Sequence, residues 1–85
     1  MRLDKYLKVS RIIKRRSVAN EVCSAGRVML NNKQAKPGAE VKVGDIITIR
    51  FGGRESSFEV LSISEHVPKA EAQGLYKVLE GGEIE

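Results

Sequence analysis

The stretch "SRIIKRRSVANE", residues 10–21, sets Arg11, Lys14, Arg15 and Arg16 within six residues and places Ile12 and Ile13 among them. A disordered basic tail has no use for buried-type isoleucines. The two side chains imply a connection pinned to a core, with its cations presented from a fixed shape. The flanking residues have helical spacing. Upstream, in "MRLDKYLKV", about 100° per residue puts Leu3, Tyr6 and Leu7 on one face and Asp4, Lys5 and Lys8 on the other. Asp4 lies in the first turn, where a negative charge suits the helix dipole, and it can pair with Lys8 one turn on. Downstream, Ser17 reads as the N-cap of a second helix with Val18, Val22 and Ala25 at helical spacing. Gly26 ends that helix, because glycine enters the left-handed cap without Cβ crowding.

Beyond Gly26 the period changes. "RVMLNNKQAKPG" reads as two short extended segments joined at Asn31-Asn32, since asparagine tolerates positive φ. The Gly44-Asp45 turn leads into a β-rich strand at 46–51, which "GGRE" turns into a partner strand at 58–63, where Phe58, Val60 and Ile63 mark the alternation. A short helical turn over 68–74 and an extended "LYKVLE" follow, and "GGEIE" reads as a frayed end. The expected fold is α+β, two N-terminal helices packed on a small, mostly antiparallel sheet. Residues 1–64 form the expected domain and 65–85 a short C-terminal extension, partly helical or extended.

Eighty-five residues allow one modest core and no second catalytic lobe. With no tryptophan, that core falls to Leu, Ile and Val. The net charge of +4 is unevenly spread: residues 1–42 hold eleven Lys/Arg against three Asp/Glu, and residues 43–85 hold four against eight. A basic working face on an acidic scaffold suits a polyanionic partner. The single cysteine, Cys23, excludes an intrachain disulfide and fits a reducing compartment. One Cys and one His (His66) do not make a metal site, so neither metal nor cofactor is expected. No apolar run approaches the roughly 20 residues of a membrane span, and the N-terminus is too polar for a signal peptide. A soluble cytosolic protein is expected, with no membrane partner.

Arg2, Lys5 and Lys8 fall on the polar side of the first helix, and Arg27, Lys33 and Lys36 in or beside the first extended segments. A solubilising surface accounts for an isolated Lys or Arg. It does not account for a crowded cluster of one sign, whose members repel and lack local compensation. The start of the second helix adds an attraction for phosphate. Charge held in a fixed shape favours folded RNA recognised by its backbone and contour. Tyr6, beside Leu3 and Leu7, belongs to the core rather than on a base, and aromatic interleaving of the kind a single-strand platform needs is otherwise absent.

In order along the chain stand Arg2-Leu3-Asp4, Ser17 with Ala19, Gly26, Lys36-Pro37 and Gly44-Asp45. This set resembles the alpha-L RNA-binding motif from Arg2 to about Arg50, over half the chain. The family includes a small-subunit ribosomal protein, pseudouridine synthases, tyrosyl-tRNA synthetases and a fifteen-kilodalton heat-shock protein. "RLDKYL" at the start, "KRR" before the second helix and "QAKP" point to the heat-shock branch; the lack of a long basic extension points to its short, stand-alone form. That resemblance implies a role in bacterial ribosome-associated quality control. The implied partners are large-subunit rRNA and peptidyl-tRNA on the split large ribosomal subunit, and an RqcH-type tailing factor during C-terminal alanine addition. It places RNA contacts at Arg2, Arg11, Lys14, Arg15, Arg16 and Lys36, with Asp4 mainly orienting Arg2 or Lys8; the polar face of the first helix adds Lys5 and Lys8 to the expected RNA-binding residues. Two positions depart from the family pattern: Asn32 where glycine is common, and Gly38 where serine is common. Both lie in turns.

Catalysis is not expected. His66 stands apart from any partner but Glu65, Cys23 beside Val22 and Ala25 reads as a small core residue, and no nucleophile set or phosphate-binding glycine loop is present. The alternatives are a generic ribosome-assembly or heat-shock RNA-binding protein, and a basic adaptor for an acidic protein. A monomer is expected off the ribosome.

Overall fold

A computed structural model describes residues 1–81. Helix α1 spans Leu3–Val9 and α2 spans Arg16–Ser24. Strands β1 (Val28–Leu30), β2 (Lys33–Gln34), β3 (Ile46–Phe51), β4 (Arg54–Val60) and β5 (Tyr76–Glu80) follow, with a 3-10 helix at Lys69–Leu75 before β5. The strands form one antiparallel sheet in the order β2-β1-β3-β4-β5. The α+β fold is therefore as expected, with a fifth strand on the β4 edge.

Apolar spacing accounts for the core. Leu3, Tyr6 and Leu7 of α1, Ala19, Val22 and Cys23 of α2, and Val28, Ile47, Ile49, Phe58 and Val60 of the sheet are all buried. Ile12 and Ile13 are 1% and 0% exposed, so the basic connection is nailed to this core at its centre. Tyr6 is buried too, and its hydroxyl donates to the Leu75 carbonyl at 2.6 Å, tying α1 to the segment before β5. Burial raises the Tyr6 pKa, with a further push from Tyr76. Burial likewise pushes the Cys23 thiol up to about 11, with a smaller push from Asp4, so it is a protonated core group at neutral pH.

The turns follow their residue chemistry. Asn31 and Asn32 take φ of 53° and 67°, and Gly52 and Gly53 take 59° and 79°, as two-residue hairpin turns require. The Asn31 side chain accepts from Ile46 N–H and donates to Asp45, locking one turn against another. At the end of α2, Gly26 (φ 76°) donates to the Cys23 carbonyl and Arg27 to the Val22 carbonyl, the paired bonds of a Schellman cap.

Four expectations need correction. Ser17 is not an N-cap: Arg15 is extended, its carbonyl accepts from Ala19 N–H, and α2 starts at Arg16 with no side-chain cap. Ala25 is exposed and caps the C-terminus, leaving the buried face to Ala19, Val22 and Cys23. The partner of β3 begins at Arg54 and stops at Val60, because "RESS" pairs with "TIRF" and places Ser56, a small polar residue, on the buried face. Asp4 is buried rather than on the polar face, and its partners do not include Lys8. The helical turn and the extended run near the C-terminus lie close to where they were expected. The frayed end expected at "GGEIE" lies, after Gly81, outside the described residues.

Candidate nucleic-acid interface

Short helices need partners for their first amides, and α1 finds them in a loop. Leu3 N–H donates to the Ala39 carbonyl at 2.8 Å and Asp4 N–H to the Pro37 carbonyl at 3.1 Å. The 37–39 loop is thereby bound to the start of α1, while Lys36 lines a cavity with Cys23, Ser24 and Gly26 at the end of α2. Gly38 fits this arrangement closely, since a Cβ there would stand 3.9 Å from the Arg2 guanidinium carbon.

Asp4 is the hub. Its side chain is 3% exposed, and Arg2 donates to both carboxylate oxygens, Nε to Oδ1 at 3.2 Å and Nη2 to Oδ2 at 3.3 Å. Asn20 of α2 donates to Oδ2 at 3.3 Å, Lys5 N–H donates to Oδ1 at 2.8 Å, and Arg16 Nη2 lies 3.6 Å from Oδ1. Burial by itself raises the carboxyl's pKa. The hydrogen bonds from Asn20 and Arg2 and the charges of Arg16 and Arg2 outweigh it and hold the group below its ordinary 3.8. Asp4 is thus an anion at neutral pH with its oxygens occupied. Both guanidiniums remain about half exposed, at 55% for the Arg2 side chain and 48% for Arg16. One buried carboxylate therefore fixes two arginines from separate helices while leaving them open to a ligand. The pairing expected of Asp4 with Arg2 or Lys8 is thus made with Arg2, and with Arg16 rather than Lys8.

The remaining cations divide. Lys14 and Arg15 are exposed in the connection, and so is Arg11, which also carries a positive φ of 63°. Lys8 is exposed at the end of α1. Lys5 donates to Glu65 at 2.6 Å, and this ammonium and the hydrogen bond hold the Glu65 pKa down. Its charge is thus engaged by the C-terminal segment. Arg2, Asp4 and Arg16 are brought to one corner, Lys36 follows at the far end of α2, and Lys5 is diverted. Asn20 was missed, because an asparagine in mid-helix carries no sequence signal until its partner is known. Among the described residues no group of three His, Cys, Asp or Glu is placed to hold a metal ion, and no helix is long and apolar enough to cross a membrane.

Comparison with known proteins gives this arrangement a context. The S4 domain model, which describes the alpha-L RNA-binding motif, matches residues 1–47. A Halalkalibacterium halodurans protein named RQC P-site tRNA stabilizing factor is 53% identical over 78 residues, spanning 92% of this chain and 89% of its own. A Streptococcus pneumoniae protein of the same name is 46% identical over 85 residues, spanning 100% and 97%. Among solved structures, the trimeric Heat Shock Protein 15 of Vibrio cholerae is similar with a TM-score of 0.83 at 38% identity, over 92% of this chain and 80% of that one.

Proposed function

Taking as premise that this chain belongs to the S4 domain family, we propose that it is a non-catalytic RNA-binding factor that steadies P-site tRNA in ribosome-associated quality control. The observation that carries this reading is the Asp4 hub, which holds Arg2 and Arg16 half open at the corner where the 37–39 loop docks. The name shared by relatives that match nearly the whole chain supports the same reading.

The mechanism follows from the geometry. Arginine side chains normally lose conformational freedom when they grip a phosphate; here the carboxylate has already restricted them, so less is lost on binding. Asp4 subtracts one charge from the cluster but removes it from the surface. The site comprises Arg2, Arg11, Lys14, Arg15, Arg16 and Lys36 as phosphate contacts, Lys5 and Lys8 at its margin, and Asp4 as the positioning group. Backbone contacts of this kind read contour rather than sequence, which suits structured RNA.

On this reading the factor contacts large-subunit rRNA and peptidyl-tRNA on a stalled, split large ribosomal subunit. It acts in the cytoplasm beside an RqcH-type factor during alanine tailing and is a monomer when free. Residues 1–64 form the RNA-binding unit and 65–85 the extension. The test is a pull-down of the affinity-tagged protein from lysate, with the recovered RNA sequenced and the proteins identified by mass spectrometry. Large subunits with peptidyl-tRNA and an RqcH-type factor are expected; small subunits or free mRNA would overturn the assignment. Retention of the partners after RNase treatment would point instead to a basic adaptor for an acidic protein.

A further inference from the structure

Ser10, Arg11 and Lys14 of the helix connection and Lys69, Gln73 and Tyr76 of the C-terminal segment line one cleft of about 270 Å³. At ~30 Å³ per water, that is room for roughly nine waters, enough for a phosphodiester and its flanking carbons. Three cations from two distant stretches of sequence meet there, and among the described residues the lining holds no carboxylate. Of the described acids in the C-terminal segment, Glu65 pairs with Lys5, and Glu71 lines a separate cavity with His66.

Arg11 supplies a second, independent observation. It is not glycine, yet its φ is 63°, and its N–H donates to the Lys8 carbonyl to close the end of α1. Ser10 is buried and its hydroxyl donates to the Leu7 carbonyl, while Ile12 and Ile13 are buried on the other side. The surroundings hold Arg11 in a conformation that an L-residue avoids. Such conformations persist where the surrounding structure enforces them, and they cluster at functional sites. Here the side chain is presented to the cleft.

We propose that this cleft binds a backbone phosphodiester of the RNA, so that the C-terminal segment is part of the RNA surface. This rests on the RNA-binding reading above. An arginine fork, two lysine ammoniums and the Gln73 amide all suit phosphate oxygens. A base is the poorer fit, because the only ring in the lining is half-buried: Tyr76 lies edge-on to Phe58, with ring centroids 5.4 Å apart at 85°. Lys69 and Gln73 are the contacts that the two helices alone do not supply.

The test titrates the full chain with large ribosomal subunits carrying P-site tRNA, across a range of monovalent salt at fixed magnesium. Lys69→Gln and Arg11→Gly are compared with Arg16→Gln as the reference for the Asp4 corner. Loss of one phosphate contact lowers the slope of log K against log salt by about 0.7–0.9. Lys69→Gln and Arg11→Gly are each expected to show that change and a several-fold loss of affinity at low salt, with the thermal midpoint of Lys69→Gln unchanged. Wild-type affinity and slope in both cleft variants, beside a weakened Arg16→Gln, would overturn the cleft and leave the corner standing. Unchanged binding in all three would overturn the RNA-binding reading itself.

Discussion

Helices α1 and α2 end in the same way with different residues. Each closes through a left-handed residue whose N–H donates back into the last turn, Arg11 at φ 63° after α1 and Gly26 at φ 76° after α2. Glycine is the inexpensive choice; an L-residue there costs roughly 1–2 kcal/mol. At Gly26 a Cβ would also push aside the Gln34 amide, which donates to the Gly26 carbonyl. At Arg11 the side chain points into an open cationic cleft. The end of α2 is built for stability, and the end of α1 gives some of it up for a presented charge.

The largest effect should come from removing the glycine. Gly26→Ala combines left-handed strain with displacement of the Gln34 bond, a loss of about 2 kcal/mol. Thermal unfolding should register it as a drop on the order of 10 °C. A midpoint within a degree or two of wild type would mean that α2 has another way to end.

Asp4→Asn comes next, at about 1–2 kcal/mol, since it leaves the donors of Arg2, Asn20 and Lys5 poorly matched. The pH dependence has a definite sign. The Asp4 pKa is lowered on folding, so its contribution is complete above the ordinary 3.8 and is lost as pH falls through the still lower folded value. Acid titration of stability should therefore be shallower for Asp4→Asn than for wild type below about pH 4. Parallel curves would show that the hub does not couple charge to folding.

Arg11→Gly should move stability the other way. Relief of roughly 1–2 kcal/mol of strain, less about 0.5–1 for the more flexible unfolded chain, leaves a gain on the order of 0.5 kcal/mol. Denaturant unfolding with an unchanged m-value measures it. A destabilised Arg11→Gly would show that the arginine supports the fold, and the contrast between the two helix ends would collapse. Smallest of all, Lys77→Ala on the exposed edge strand β5 should alter neither stability nor ribosome binding, both measured as for the other variants. A binding defect there would relocate the interface.

Local patterns in the sequence account for much of this. The apolar spacing of α1, the isoleucines of the connection, the glycine closing α2 and the Asn-Asn turn were legible because each depends on residues within a few positions of one another. The burial of Asp4 was not. It depends on Pro37 and Ala39 docking at the start of α1 and on Asn20 arriving from α2, and periodicity sees neither. Ser17 misled for a related reason: it has the favoured cap chemistry, but the backbone of Arg15 already opens the helix one residue earlier. Lys69 and Gln73 left no trace as site residues, since nothing near them in the chain says that their 3-10 helix will face Arg11 and Lys14.

On the proposed reading, a core-anchored basic corner steadies tRNA on the large subunit. The affinity of the intact chain for large ribosomal subunits with and without P-site tRNA, at one fixed salt concentration, tests it most directly. Tighter binding to the tRNA-bearing subunit, with the difference abolished by Arg16→Gln, is the predicted result. Equal binding to both, or a difference that survives Arg16→Gln, would contradict it.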